Sequence, residues 1–138
     1  MTTNSHQTDK IDQTDQKTIL VAVTDIFFYT KVRDALRTGG YRIEKARAQQ
    51  DIGEKTVATP PVAVILDMND LTLDAFQAIE TLKADSRSKS IPILAYANHE
   101  EVDTWNRAKA LGVTKIVSRN EFSARTKDLV DEVQKGAR

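Results

Sequence analysis

The segment Pro61-Val62-Ala63-Val64-Ile65-Leu66-Asp67-Met68-Asn69-Asp70 decides how the rest of the chain is read. Five consecutive apolar residues, Val62 to Leu66, rich in β-branched types and preceded by two prolines, predict a strand buried on both faces. The run ends abruptly in Asp67. In an open parallel α/β sheet, ligands bind just beyond the carboxyl ends of such strands. Asp67 is therefore placed where a reactive or metal-binding carboxylate belongs.

On the amino-terminal side, Thr18 to Val23 (Thr-Ile-Leu-Val-Ala-Val) predicts a second buried strand. Asp25 then stands before an apolar stripe at Phe28, Val32, Ala35, Leu36 and Gly39, the spacing of one helix face. Asp25 suits the N-cap of that helix and Gly39-Gly40 its end. Tyr41 to Ala46 alternates apolar with charged residues, as a half-exposed edge strand does, and Gln50 to Thr59 reads as a short helix. On the carboxyl-terminal side, Leu71, Ala75, Phe76, Ile79 and Leu82 form a helical stripe, and Ser90 to Tyr96 a strand with Pro92 near its start. Asn98 and Glu101 have capping-box spacing before a helix carrying Val102, Trp105, Ala108 and Leu111, which Gly112 ends. Val113 to Val117 predicts the last strand. Ser118 with Glu121 forms another capping box, with Asn120 as the competing cap, and Phe122, Leu129, Val130 and Val133 supply the final apolar face.

Strand and helix alternate five times, which predicts an α/β fold with a parallel sheet covered by helices on both faces. The flavodoxin-like (βα)5 sandwich with strand order 2-1-3-4-5 fits this pattern, and its crevice lies between the first and third strands. Asp25 and Asp67 both face that crevice in such a sheet.

Bulk composition narrows the function. The chain has 138 residues, enough for one core, and 20 basic against 20 acidic residues favour neither nucleic acid nor an anionic membrane. Absence of cysteine excludes disulfides and thiolate chemistry and is compatible with a reducing cytosol. No apolar run is long enough to span a membrane, and the expectation is a cytoplasmic protein. Residues 1–16 are polar apart from Ile11 and Met1 and are expected to form a disordered tail before a domain over residues 17–138, with no room for an output domain. A glycine-rich phosphate loop is missing, since Thr24-Asp25-Ile26-Phe27 follows the first strand, and no G-x-S-x-G occurs. Asp67-Met68-Asn69-Asp70 also lacks the Asp-x-Asp of a haloacid-dehalogenase-type phosphatase.

Over residues 17–135 the sequence resembles a response-regulator receiver domain of the CheY type. The segments that carry the resemblance are Thr18 to Asp25, Val62 to Asn69, Ile91 to Tyr96 and Gly112 to Ser118. The resemblance implies that Asp67 occupies the phosphoacceptor position of a two-component phosphorelay. It also implies a Mg²⁺ ion held by an acidic pair after the first strand, by the acceptor and by a carbonyl, so that Asp25, Asp67 and Asn69 are the candidate metal ligands. The acidic-pair positions themselves hold Val23 and Thr24, and Asp25 comes one place later. The hydroxyl residue that would contact phosphoryl oxygens aligns with Ala97, the lysine with Arg119, the proline after it with Asn120, and the aromatic switch with Ile116. Thr24 and Arg119 are the remaining candidate neighbours of a phosphoryl group. Arg119 has two readings, an ion pair with Asp67 or a phosphate ligand.

The expected protein is thus an atypical receiver, or pseudo-receiver: a stand-alone module, not an enzyme, that acts through protein contacts. The resemblance places those contacts on the fourth helix, fifth strand and fifth helix, with a sensor histidine kinase or a second copy as partner. Two alternatives stand beside it. One is a working Mg²⁺-dependent phosphoacceptor; the other is a small-ligand sensor whose crevice is covered by aromatic residues of Phe27-Phe28-Tyr29, one of these rings being core. His99 reads as an exposed loop residue, and Trp105 as core or as part of a docking face.

Overall fold

A computed structural model describes residues 16–136. The expected tail, residues 1–16, lies outside these apart from Gln16. In chain order the elements are β1 (Thr18–Ala22), α1 (Ile26–Thr38), β2 (Arg42–Lys45), α2 (Gln49–Ala58), β3 (Ala63–Asp67) and α3 (Ala75–Ala84). They continue with β4 (Ile93–Ala97), α4 (Val102–Leu111), β5 (Lys115–Ser118), α5 (Arg119–Ala124) and α6 (Thr126–Gly136). The strands pair in parallel in the order β2-β1-β3-β4-β5. This is the flavodoxin-like arrangement the alternation predicts, and it follows from the residues: every position of β3 and β4 is buried, while β2 at the edge is only half covered.

Side-chain parity divides the core in two. Ile19, Val21, Ile65, Leu94, Tyr96 and Val117 point to the layer formed by α1, α5 and α6, against Phe28, Leu36, Phe122 and Val130. Leu20, Val64, Leu66, Ile93, Ala95 and Ile116 point to the other layer, against Ile52, Ile79 and Ala108 of α2, α3 and α4. Asp67 continues the parity of Ala63 and Ile65 and so belongs to the first face, at the carboxyl-terminal rim of the sheet.

Helix ends follow the predicted chemistry in part. Asp25 caps α1, accepting from the backbone N–H groups of Phe27 (3.0 Å) and Phe28 (3.2 Å). Ser118 caps α5 by accepting from Glu121 N–H at 3.1 Å, and Asn120 lies inside that helix. Gly112 ends α4 at φ 104°, a left-handed conformation that costs a glycine little.

Three expectations are corrected. Leu71 does not belong to the α3 stripe: that helix starts at Ala75, capped by Asp74, and Leu71 is fully exposed. The Asn98–Glu101 capping box does not form, because Glu101 itself is the residue before α4 and caps nothing with its side chain. Instead the Asn98 carbonyl accepts from the Trp105 indole N–H at 3.0 Å. Finally, the last apolar face spans two helices. The chain bends at Arg125, and the buried Thr126 hydroxyl donates to the Phe122 carbonyl at 2.7 Å across the break. The hydroxyl takes over a carbonyl that a continuous helix would have used for its own backbone.

Candidate functional site

Beyond the carboxyl end of the sheet lies a cleft of about 390 Å³ lined by the loops after β1, β3 and β5, including Thr24, Asp25, Asp67, Asp70 and Arg119. Its position follows from the strand order: β1 and β3 are neighbours whose connections leave in opposite directions. A larger depression of about 770 Å³ lies between α2 and α3. Its only arginine, Arg87, makes two hydrogen bonds to Asp85, and Glu54 is the lining charge left without an ion pair among the described residues. The smaller cleft holds the chemistry.

Asp67 is 5% exposed. Its Oδ1 accepts the Asn69 backbone N–H at 2.8 Å, and no described residue donates to Oδ2. Burial pushes its proton affinity up, helped by the charge of Asp70 and opposed by the Asn69 N–H and Arg119. A carboxyl raised in the folded state costs stability wherever it is ionised. Asp67→Asn is therefore expected to raise the Tm at pH 7. The gain should shrink as the pH falls through the raised folded pKa and vanish below the ordinary value of 3.8. A Tm difference independent of pH would show that the burial of charge is not its cause.

Asp70, read in the sequence only as part of a motif that fails to match, is the organiser of the cleft. Its Oδ2 accepts the Thr24 backbone N–H at 2.8 Å, the Thr24 hydroxyl donates to the same carboxylate at 2.8 Å, and Oδ1 accepts Thr72 and Leu73 N–H, each at 2.9 Å. Partial burial works against ionisation, but the N–H groups of Leu73, Thr24 and Thr72 outweigh it and hold the carboxyl below its usual range. One carboxylate thus ties the β1–α1 loop to the β3–α3 loop. Thr24, a candidate phosphoryl neighbour, has its hydroxyl committed to this tie.

Arg119 does not pair with Asp67. Its Nη2 meets Asp25 Oδ2 at 3.3 Å, and its guanidinium lies 4.2 Å over the Phe28 ring. The ring and Asp25 together hold the guanidinium head. Asp25 in turn is held below the ordinary carboxylate range by Phe28 N–H, with Arg119 and Phe27 N–H adding to it against slight desolvation.

A magnesium site needs several carboxylate or carbonyl oxygens turned to one point. Here both Asp70 oxygens are used and Asp25 serves helix and arginine, so among these three carboxylates only Asp67 Oδ2 remains, along with the Asn69 backbone carbonyl that the resemblance assigns to the metal. The side chain of Asn69 is also engaged, donating to Glu101 (2.8 Å) and accepting Asn98 N–H (2.9 Å). No three His, Asp or Glu side chains among the described residues are arranged to hold a metal ion. As arranged, the side chains do not fit Mg²⁺.

Behind Asp67, beneath the cleft lining, lies one residue the sequence left unmarked. Tyr96 on β4 is paired in register with Asp67, is 1% exposed, and its hydroxyl has no hydrogen-bond partner other than the Asp67 carboxylate within its reach. Its ring stacks on Phe122 (4.7 Å) and tilts against Phe28 (5.2 Å). Burial raises its proton affinity, and the neighbouring Asp67 charge raises it further. Ala97 and Ile116 are buried on the opposite face of the sheet, towards α2, α3 and α4. Of the aromatic trio, Phe28 is core, Phe27 is 87% exposed, and neither Phe27 nor Tyr29 lines the cleft. His99 is exposed, and Trp105 packs half-buried against the α2–α3–α4 layer.

No protein-family profile matches the sequence, and no curated protein matches it. Solved structures do. The receiver domain of a sensor histidine kinase from Pseudomonas aeruginosa, which holds a magnesium ion in its active-site cleft, matches with a TM-score of 0.77 at 16% identity, covering 87% of this chain and 98% of that one. The chemotaxis response regulator CheY4 of Vibrio cholerae matches with a TM-score of 0.72 at 21% identity, covering 83% and 98%. The phosphorylated cyanobacterial phytochrome response regulator RcpA matches at 0.70 and 18% identity, covering 87% and 92%. The chain has the receiver fold. Within that fold Asp67 stands at the end of the third strand, in a cleft whose loops are tied together by Asp70 and by the Arg119–Asp25 pair. None of the described helices of this receiver fold is long and apolar enough to cross a membrane.

Proposed function

We propose that the protein is an atypical receiver module of a two-component type system that works by protein contact at the cleft rim, without phosphoryl turnover at Asp67. The observation that carries this reading is the placement of exposed apolar side chains. Ile26 and Phe27 open α1, Leu71 sits in the β3–α3 loop and Val102 opens α4; these are the large hydrophobics left exposed among the described residues, at 56%, 87%, 101% and 61%. All stand on the same rim as Asp67. Grouped exposure of this kind marks an interaction surface, where single scattered residues would not. The α4–β5 face expected from the resemblance shows no comparable exposure apart from Val102 at its edge. The receiver fold points to a sensor histidine kinase or another two-component protein as the partner class.

The absence of turnover follows from charge. A phosphoryl group arriving at Asp67 needs cations to neutralise it. Among the described residues the cleft provides Arg119 as its cation, already bound to Asp25, and no three His, Asp or Glu side chains are arranged around a metal ion. Incubation with Mg²⁺ and acetyl phosphate, followed by intact-mass measurement, is expected to show no gain of a phosphoryl group. A Mg²⁺-dependent gain that disappears in Asp67→Ala would overturn the reading and establish a working phosphoacceptor.

A further inference from the structure

Asp67 lines the cleft, and Tyr96 lies behind it as its register neighbour on the same face of the sheet. Asp67 Oδ2 faces the cleft, and behind it the buried Tyr96 hydroxyl has the Asp67 carboxylate within reach as its hydrogen-bond acceptor and makes no other hydrogen bond. Buried polar groups are almost always satisfied, and the Tyr96 hydroxyl can be satisfied by Asp67 itself, which leaves the carboxylate with accepting capacity on its cleft side. The pair is not an accident of loop position, because the register of β3 and β4 sets Asp67 and Tyr96 side by side on one face. Phe122 and Phe28 hold the tyrosine ring there. Asp67, Asp70 and Arg119, all lining the cleft, lie close enough to the hydroxyl for their charges to act on it.

The sign of the surroundings chooses the donor. Around the rim stand Asp25, Asp70, Asp74, Glu100 and Glu101, against Arg47 and Arg119. Helix capping accounts for Asp25 and Asp74. It accounts for neither Asp67 nor Glu100. On a chain with no net charge, this edge carries more acids than bases, and the cation that lines the cleft, Arg119, is already paired with Asp25.

We propose that the cleft seats a lysine or arginine side chain of a partner protein, which donates to Asp67 Oδ2 while the partner's flanking apolar residues cover Phe27 and Leu71. The Tyr96 hydroxyl donates to the same carboxylate from behind, so that both polar groups are used. The occupant is thus a basic amphipathic segment. This rests on the reading of the rim as a contact surface and adds the chemistry of what it contacts.

The test uses the full chain and two designed helical peptides, one with a leucine face flanked by lysines, the other identical with glutamates in their place. Trp105, whose indole is bonded to Asn98 on the rim, reports binding by fluorescence. The lysine peptide is expected to bind and the glutamate peptide not to. Added salt should weaken the complex. Asp67→Asn should lower affinity about tenfold or more, and Tyr96→Phe by a few fold. Adsorption to surface acids alone would not sense these two buried groups. Equal affinity of Asp67→Asn and the unsubstituted chain, equal binding of the two peptides, or no binding of either would overturn the proposal. A chain that takes up phosphoryl yet binds the lysine peptide through Asp67 loses the contact-only reading and keeps this inference. One that takes up no phosphoryl and shows no charge preference does the reverse.

Discussion

Phe122→Ala is expected to destabilise the domain by about 3–5 kcal/mol, the cost typical of deleting a buried aromatic ring and leaving its cavity. Phe122 is 0% exposed and lies between α5 and the sheet, stacked on Tyr96 and 6.1 Å from the Phe28 ring. The three rings bridge β4, α1 and α5. Domains of this size are stable by only about 5–15 kcal/mol, so the loss is a large share of the total. Urea denaturation measures it directly. Phe122→Leu, which keeps most of the volume, should cost clearly less. If the alanine variant lost under about 1 kcal/mol, the ring stack would not be the structural centre of the α1–α5–α6 layer.

Asp70→Ala is expected to cost about 2–3 kcal/mol, through the charged hydrogen bonds it withdraws from Thr24, Thr72 and Leu73. It should also free the β1–α1 and β3–α3 loops from one another, seen as faster amide exchange at Thr24 and Leu73. The pH dependence has a definite sign. Because the folded carboxyl is held below its unfolded value, its contribution is fully present above 3.8 and is lost as the pH falls through the lower folded pKa. The difference between wild type and Asp70→Ala should therefore shrink in acid, opposite in sense to the Asp67→Asn effect. Unchanged exchange at Thr24 would mean that the two loops are held by something other than this carboxylate. The Arg119–Asp25 pair offers an instructive contrast: both side chains are over 40% exposed, so water screens it and it is the cleft contact most easily exchanged for another.

Much of this architecture is written in hydrophobic periodicity. The run Val62 to Leu66, the capped stripe after Asp25 and the glycine at 112 require alternating buried strands and amphipathic helices, and five such units leave few parallel topologies open. The same reading places Asp67 on the rim and shows a methyl group at Ala97 and an isoleucine at 116, because these are matters of position along the chain. It also identifies one ring of Phe27-Phe28-Tyr29 as core without saying which one; packing assigns Phe28.

The wiring of the cleft belongs to the tertiary structure. A strand buried on both faces is apolar at every position, so its sequence carries no alternation to say which side Tyr96 takes; only register with β3 sets its hydroxyl beside Asp67. Asp70 meets Thr24 across 46 residues, and Arg119 meets Asp25 across 94, because loops from different strands converge at one edge of the sheet. Charges choose partners by distance in space, and that distance exists only once the strands are in order. Local pattern determined the sheet and the place of its acid; the folded arrangement alone decided which neighbours that acid is left to recognise.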